Sequence, residues 1–128
     1  MDETAVYRKV IDEMVRACRE GLGQIGAERA RRGVWNPNVG SVNDPALADD
    51  REEQLAMNAL LARLDVTDRE VLAKMLRQQF IGGVHEALAI LYEAEVPPFY
   101  KAYEGSPFHD FIGRLDGWAW PASRERTP

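Results

Sequence analysis

The stretch DVTDREVLAKMLRQQFIGGVHEALAILYEAEVPP, Asp65 to Pro98, decides the fold. Thr67 and Glu70 have the spacing of a capping box, and Val66 and Val71 stand where a hydrophobic staple would join the incoming chain to the first turn. The reading is a helix that starts at Asp68. Leu72, Met75, Leu76, Phe80, Val84, Leu88 and Leu91 then recur at three- and four-residue spacing, as on a broad apolar helical face. Such a face suits a central, largely buried helix. Gly82-Gly83 interrupts it, allowing a kink or the close approach of another backbone, and Pro97-Pro98 ends it near residue 95.

Working outward, Val6, Val10, Met14, Cys18, Leu22 and Ile25 form an apolar stripe with charges between, which predicts a helix over 4–31 weakened toward its end by Gly21, Gly23 and Gly26. GVWNPNVGSVNDP, from Gly33, is rich in Gly, Asn and Pro and reads as one long loop near 33–44. Asp44-Pro45 suits an N-cap followed by a first helical residue, and the acids behind it suit an early turn, so a helix is expected over 45–64. Ser106-Pro107 repeats that start. Phe108, Phe111, Ile112 and Leu115 make an i, i+3, i+4, i+7 stripe over 107–116, closed by Gly117 in the place of a left-handed terminal residue. Asp110 stands four residues before Arg114, a spacing that favours an ion pair along the helix. Trp118 and Trp120, two apart in an extended tail over 117–128, would point to one side and dock on the bundle. The expected fold is all-α: a single domain, 1–128, built as a bundle of four to five helices.

A chain of 128 residues buries roughly two-thirds of its unfolded surface, enough for one core without metal or disulfide. Cys18 is the single cysteine and lies on an apolar stripe, where a thiol is a small buried group more often than a nucleophile. The opening MDETAVYRKVIDEM has neither a basic region nor an unbroken apolar run, and no segment has the run of about 20 apolar residues a span requires. A cytoplasmic protein without membrane contact is expected.

The net charge is −5, and it is uneven. Residues 33–66 hold six acids against two arginines, whereas the first 32 hold seven bases against six acids. Only Glu28 to Arg32, ERARR, is a basic cluster, too small for the positive face that releases counterions from phosphate. Nucleic acid is therefore not an expected partner. Asp49, Asp50, Glu52 and Glu53 read as a solvated helix start or as an acidic patch for a basic protein partner.

Several motifs tempt. GLGQIG, Gly21 to Gly26, has the glycine spacing of a dinucleotide-binding turn, but that turn needs a preceding strand and here comes after an amphipathic helix. LDVTDREVLAKML has the look of the first helix of a helix-turn-helix regulator, yet the segment after it is apolar and acidic, with no side chains suited to base edges. No serine sits in a nucleophile-elbow pattern, and the acids lack calcium-loop spacing.

The two histidines each precede a carboxylate, as His85-Glu86 and His109-Asp110. If their helices pack side by side, His85, His109 and Asp110 could converge on a divalent metal or serve as acid and base. Against this, there is no HExxH, since Ala89 stands where a second histidine would be, and adjacent helical residues diverge by about 100°. A wider pocket would be lined by His85, Tyr92, His109, Asp110, Trp118 and Trp120.

At FIGGVHEALAILYEAEVPPF and YEGSPFHDFIGRLDGWAWP the chain resembles a small family of uncharacterised bacterial proteins with similar Gly-Gly-x-His, Ser-Pro-Phe-His-Asp-Phe and Trp-x-Trp-Pro segments. The resemblance covers roughly residues 55–121. It implies an all-helical bacterial protein and carries over no catalytic residue.

Two functional readings stand. One is a non-enzymatic interaction or regulatory module, binding a protein partner or a second copy of itself; apolar positions to spare on the first and third helices leave room for a dimer face. The alternative is a bundle that binds a small molecule or divalent metal near the two histidines, with enzymatic activity within its range. No cofactor is predicted.

Overall fold

The computed structural model describes residues 2–39, 50–122 and 126. Among them five helices are seen: α1 Glu3–Arg19, α2 Leu22–Arg32, α3 Arg51–Arg63, α4 Val66–Glu93 and α5 Pro107–Leu115. The fold is all-α, with α4 packed against α1, α2 and α5. Among the described residues no helix is long and apolar enough to cross a membrane.

The expected first helix is two. Asp2 caps α1, its carboxylate accepting from the Ala5 amide at 2.7 Å, and the chain turns at Glu20-Gly21. The apolar spacing crosses the turn in sequence only: Leu22 and Ile25, its last members, are exposed, and α2 buries Gly23, Ala27 and Ala30 instead, so periodicity alone cannot reveal the break. Gly23 explains why the turn is placed there: a Cβ on it would lie 2.8 Å from the Phe80 ring and 2.8 Å from Cys18 Cα. Only a residue without a side chain lets α2 lie this close to the end of α1 and the middle of α4.

α4 starts earlier than its capping-box spacing suggests. Its cap is Asp65, whose carboxylate accepts from the Asp68 amide at 2.8 Å, and Thr67 is already inside the helix. The staple is absent: Val66 is 81 % exposed and Val71 also faces outward. α4 runs unbroken through Gly82-Gly83 and stops at Glu93, short of the prolines. Glu95 adopts a left-handed conformation with φ 55°, while the amides of Glu95 and Val96 donate back to Tyr92 and Leu91 carbonyls at 3.0 Å each. That reversal satisfies the last carbonyls before any proline is reached. Burial of α4 is one-sided, since Ala73 and Leu88 are buried but Met75 and Ile90 are not.

α5 obeys its signals. Ser106 caps it, Pro107 opens it, and Gly117, at φ 96°, reverses the chain so that the Trp118 amide reaches the Gly113 carbonyl at 2.8 Å. The Asp44-Pro45 start, and with it Asp49, lies outside the described residues; α3 is seen from Arg51.

Two clusters make the core. The larger gathers Tyr7, Ile11, Val15 and Cys18 of α1 with Leu88, Phe99, Tyr103 and Phe111, and Trp118 and Trp120 dock against it. The smaller consists of Ala27, Ala30, Leu61 and Ala73, with Trp35, Leu64, Leu72 and Leu76 half-buried around it.

Candidate functional site

Asp110 is fully buried, and its place decides how the C-terminal aromatic region is read. One carboxylate oxygen accepts from the Tyr7 hydroxyl at 2.5 Å and from the Tyr103 amide at 3.0 Å; the other accepts from the Glu104 amide at 2.9 Å. Three donors from three residues thus hold a charge that would be costly to bury alone. Burial pushes the Tyr7 phenol far above its ordinary range, and the hydrogen bond to Asp110 and that carboxylate's charge push it further. Tyr7 is therefore a neutral donor at every physiological pH. Its ring is covered by the Arg126 guanidinium, 4.4 Å from the centroid. Arg126 donates in turn to the carbonyls of Pro98 and Lys101 and to Glu3 at 3.2 Å.

The expected Asp110 to Arg114 pair does not form, because each residue is used elsewhere. Arg114 donates to Asp12 at 2.7 Å and to the Trp118 carbonyl at 2.6 Å, and the Trp120 indole donates to the other Asp12 oxygen at 3.0 Å. Trp120 lies 5.3 Å from Trp118 and 5.3 Å from Tyr103, ring centre to ring centre. Both tryptophans dock on the bundle through this lattice.

The histidines meet the same phenylalanine. Phe108 stacks 4.4 Å from the half-buried His85 ring and 4.6 Å from the exposed His109 ring. His109 Nδ1 lies 2.7 Å from Ser106 Oγ, which also accepts the His109 amide at 3.4 Å. The Asp110 carboxylate faces Tyr7 and two backbone amides instead of the imidazoles. Among the described residues no three His, Cys, Asp or Glu side chains come together in a way that could hold a metal. Of the six residues expected to share a pocket, His109 and Trp118 border an open cleft of about 670 Å³, and Tyr92 borders another of about 620 Å³ with Tyr100.

A different site emerges where the smaller core is thin. Trp35, Met57, Leu60, Leu61, Leu72 and Leu76 line a groove of about 240 Å³ between α3 and α4. Its walls are held by polar side chains set behind them. The Asn58 amide oxygen accepts from the backbone amides of Trp35 and Asn36 at 2.8 and 2.9 Å, and its nitrogen donates to the Asn36 carbonyl at 2.8 Å. This clamp fixes the Trp35 loop to α3. Arg29 lies over the Trp35 ring at 5.3 Å. At the α3–α4 corner Arg69 donates to the Leu61 carbonyl at 3.0 Å, and Arg31 grips Glu70 through two bonds of 2.8 and 3.2 Å. Those bonds to Arg31 hold the Glu70 carboxyl below its usual value.

The residue pattern of the whole chain now has a counterpart. A family model covers residues 1–122. The chain belongs to DUF6547, a family of unknown function. No curated protein and no solved structure matches it. Membership in DUF6547 extends the resemblance from the C-terminal half to α1 and α2, and it assigns no chemistry to any residue.

Neither Trp35 nor the leucines of α3 stand out as a site by sequence. The available signal was a tryptophan in a Gly- and Asn-rich loop ahead of Leu55, Met57, Leu60 and Leu61, more large apolar groups than one helical stripe can bury. Asp50, Glu52 and Glu53, expected as a partner patch, are at the start of the same helix, and all three are exposed.

Proposed function

We propose that this member of DUF6547 is a non-enzymatic interaction module that seats the apolar face of a basic amphipathic helix in the α3–α4 groove. The observation that carries the reading is the groove itself: its lining is apolar, Trp35 is held in place before any partner arrives, and Leu60 at its edge is 45 % exposed. Amphipathic helices bind such grooves by i, i+3, i+4 and i+7 anchors. The acids at the α3 start supply the charge preference, since Asp50, Glu52 and Glu53 lie on the helix that forms one wall. The C-terminal aromatic region supports the non-enzymatic half of the proposal, because its buried carboxylate and phenol are spent on each other. A single unpaired thiol, Cys18, suits a reducing compartment, and we assign the module to the cytoplasm.

A leucine-lysine amphipathic peptide of about four helical turns, and its leucine-glutamate counterpart, test this directly. Titrated into isotopically labelled protein, the lysine peptide is expected to shift the Trp35 indole and the Leu60, Leu72 and Leu76 methyl resonances. Leu60→Glu is expected to weaken it at least tenfold, about 1.4 kcal/mol. Equal binding of both peptides, or indifference to Leu60→Glu, would overturn the proposal.

A further inference from the structure

Asp110 and Arg126 are the buried charges among the described residues, and Arg126 sits in a cage whose parts suit one chemical shape. Its side chain is 1 % exposed. Its guanidinium carbon lies 4.4 Å from the centre of the Tyr7 ring and 5.9 Å from that of Tyr100. On the rim, Nη1 donates to the carbonyls of Pro98 and Lys101, and Nη2 donates to the Glu3 carboxylate at 3.2 Å. The Tyr100 hydroxyl bonds to Glu3 as well, and that bond pushes its phenol above the ordinary value. A flat cation with donors around its edge and π faces to either side uses all of these groups at once. A lysine ammonium, a compact charge with no flat face, cannot.

We infer that this cage is a binding site for an arginine side chain from a basic segment of a partner protein, and that Arg126 fills it in cis until displaced. The site and its occupant are separable. The residues that form it, Glu3, Tyr7, Pro98, Tyr100 and Lys101, lie inside the family match over 1–122, and Arg126 lies past it. The occupant's fit is also one bond short, since Arg126 Nε is buried with no acceptor among the described residues, a cost that an arginine entering from another direction need not carry. The surroundings favour a basic ligand: Tyr100 also borders the open cleft of about 620 Å³, where Glu93 and Glu95 stand beside it. With Arg126 seated, a ligand gains nothing from the cage. Entry therefore depends on the fraction of molecules in which Arg126 has left, and the apparent affinity falls by that fraction.

N-acetyl-arginine amide and N-acetyl-lysine amide, titrated to about 50 mM against the full chain carrying Arg126→Gly, test the inference. The arginine probe should bind saturably at about millimolar affinity, shift the Tyr7 and Tyr100 ring resonances and raise the melting temperature that the substitution has lowered. The lysine probe should bind at least about tenfold more weakly. Wild type should also bind the arginine probe at least about tenfold more weakly than the variant, as it must if Arg126 is seated in about nine-tenths of molecules or more. Arg126→Lys keeps a charge and an alkyl stem in place, and it gives the same comparison should the glycine variant not fold. In either variant, adding Glu3→Gln should weaken the arginine probe about threefold or more, whereas Leu60→Glu, in the α3–α4 groove, should leave it unchanged. No saturable binding to either variant, equal binding of the two probes, equal affinity of wild type and variants, or indifference to Glu3→Gln would each overturn the inference.

Discussion

The two ends of the bundle are built on opposite principles. Where α1 meets α5 and the C-terminal tail, large rings fill the space and the carboxylates among them are held by named donors: Tyr7 and two amides on Asp110, Arg114 and Trp120 on Asp12. Where α2 meets α4, the contact is made by Ala27, Ala30 and Ala73, and helices faced with alanine lie close. The larger side chains there, Trp35, Leu72 and Leu76, are left at the margin of the contact and become the walls of a groove. Dense packing around a satisfied charge leaves little for a ligand to gain. Thin packing rimmed with leucine leaves apolar surface in water, and covering it is worth roughly 25 cal/mol per Å².

Four substitutions sharpen or break this contrast. Asp110→Ala should have the largest effect, lowering stability by about 3–5 kcal/mol in urea melts, because a buried phenol and two backbone amides lose their acceptor. A loss under about 1 kcal/mol would mean that water reaches the site and the sealed end is not sealed. Tyr7→Phe should cost about 2 kcal/mol, in the range of a hydrogen bond to a charged group. It should also change the alkaline limb. The Tyr7 phenol is raised above its ordinary value of 10.0 in the folded state. Its stabilisation is therefore complete below about pH 10 and lost as the unfolded chain ionises above it, a slope that the phenylalanine variant should lack in melts between about pH 9 and 11.

At the thin end, Asn58→Ala should cost only about 1 kcal/mol, since the Trp35 and Asn36 amides it leaves are part-buried and can turn to water. Its informative readout is Trp35 fluorescence: a red shift reports that the groove wall has come loose, and an unchanged spectrum would show that Asn58 does not position it. Glu70→Gln should be the smallest, with no shift in midpoint beyond the scatter of repeated melts near neutral pH. Because Arg31 lowers the Glu70 carboxyl below its ordinary value of 4.5, the pair contributes fully above that pH and is lost as pH falls through the lowered value. Wild type and variant should therefore remain coincident in acid as well, and divergence there would assign Glu70 a different partner.

What could be read from the sequence was local. Ser106-Pro107 and Gly117 bound α5 because capping depends on a few neighbouring backbone groups, and the apolar repeat of α4 is a property of one helix. The α4 start was misplaced because Asp65 and Thr67 are both good caps close together, and the earlier one wins by capturing the Asp68 amide. The Asp110 site was illegible for the opposite reason. Its hydroxyl donor lies 103 residues away, while the nearest tempting partner, Arg114, lies one turn along the same helix. The groove depends on α3 standing beside α4 with Trp35 clamped between them, an arrangement that no single periodicity encodes.

The Tyr7 to Asp110 bond also sets a clock on synthesis. Tyr7 leaves the ribosome long before Asp110 exists, and at about 5–20 residues per second the interval is on the order of 5–20 s. Throughout it the apolar stripe of α1 has neither α5 nor the tryptophans to cover it. Until residue 120 has been made, the nascent chain therefore leaves the part of α1 that α5 and the tryptophans cover to α2 and α4 alone, and the aromatic core closes late in its synthesis.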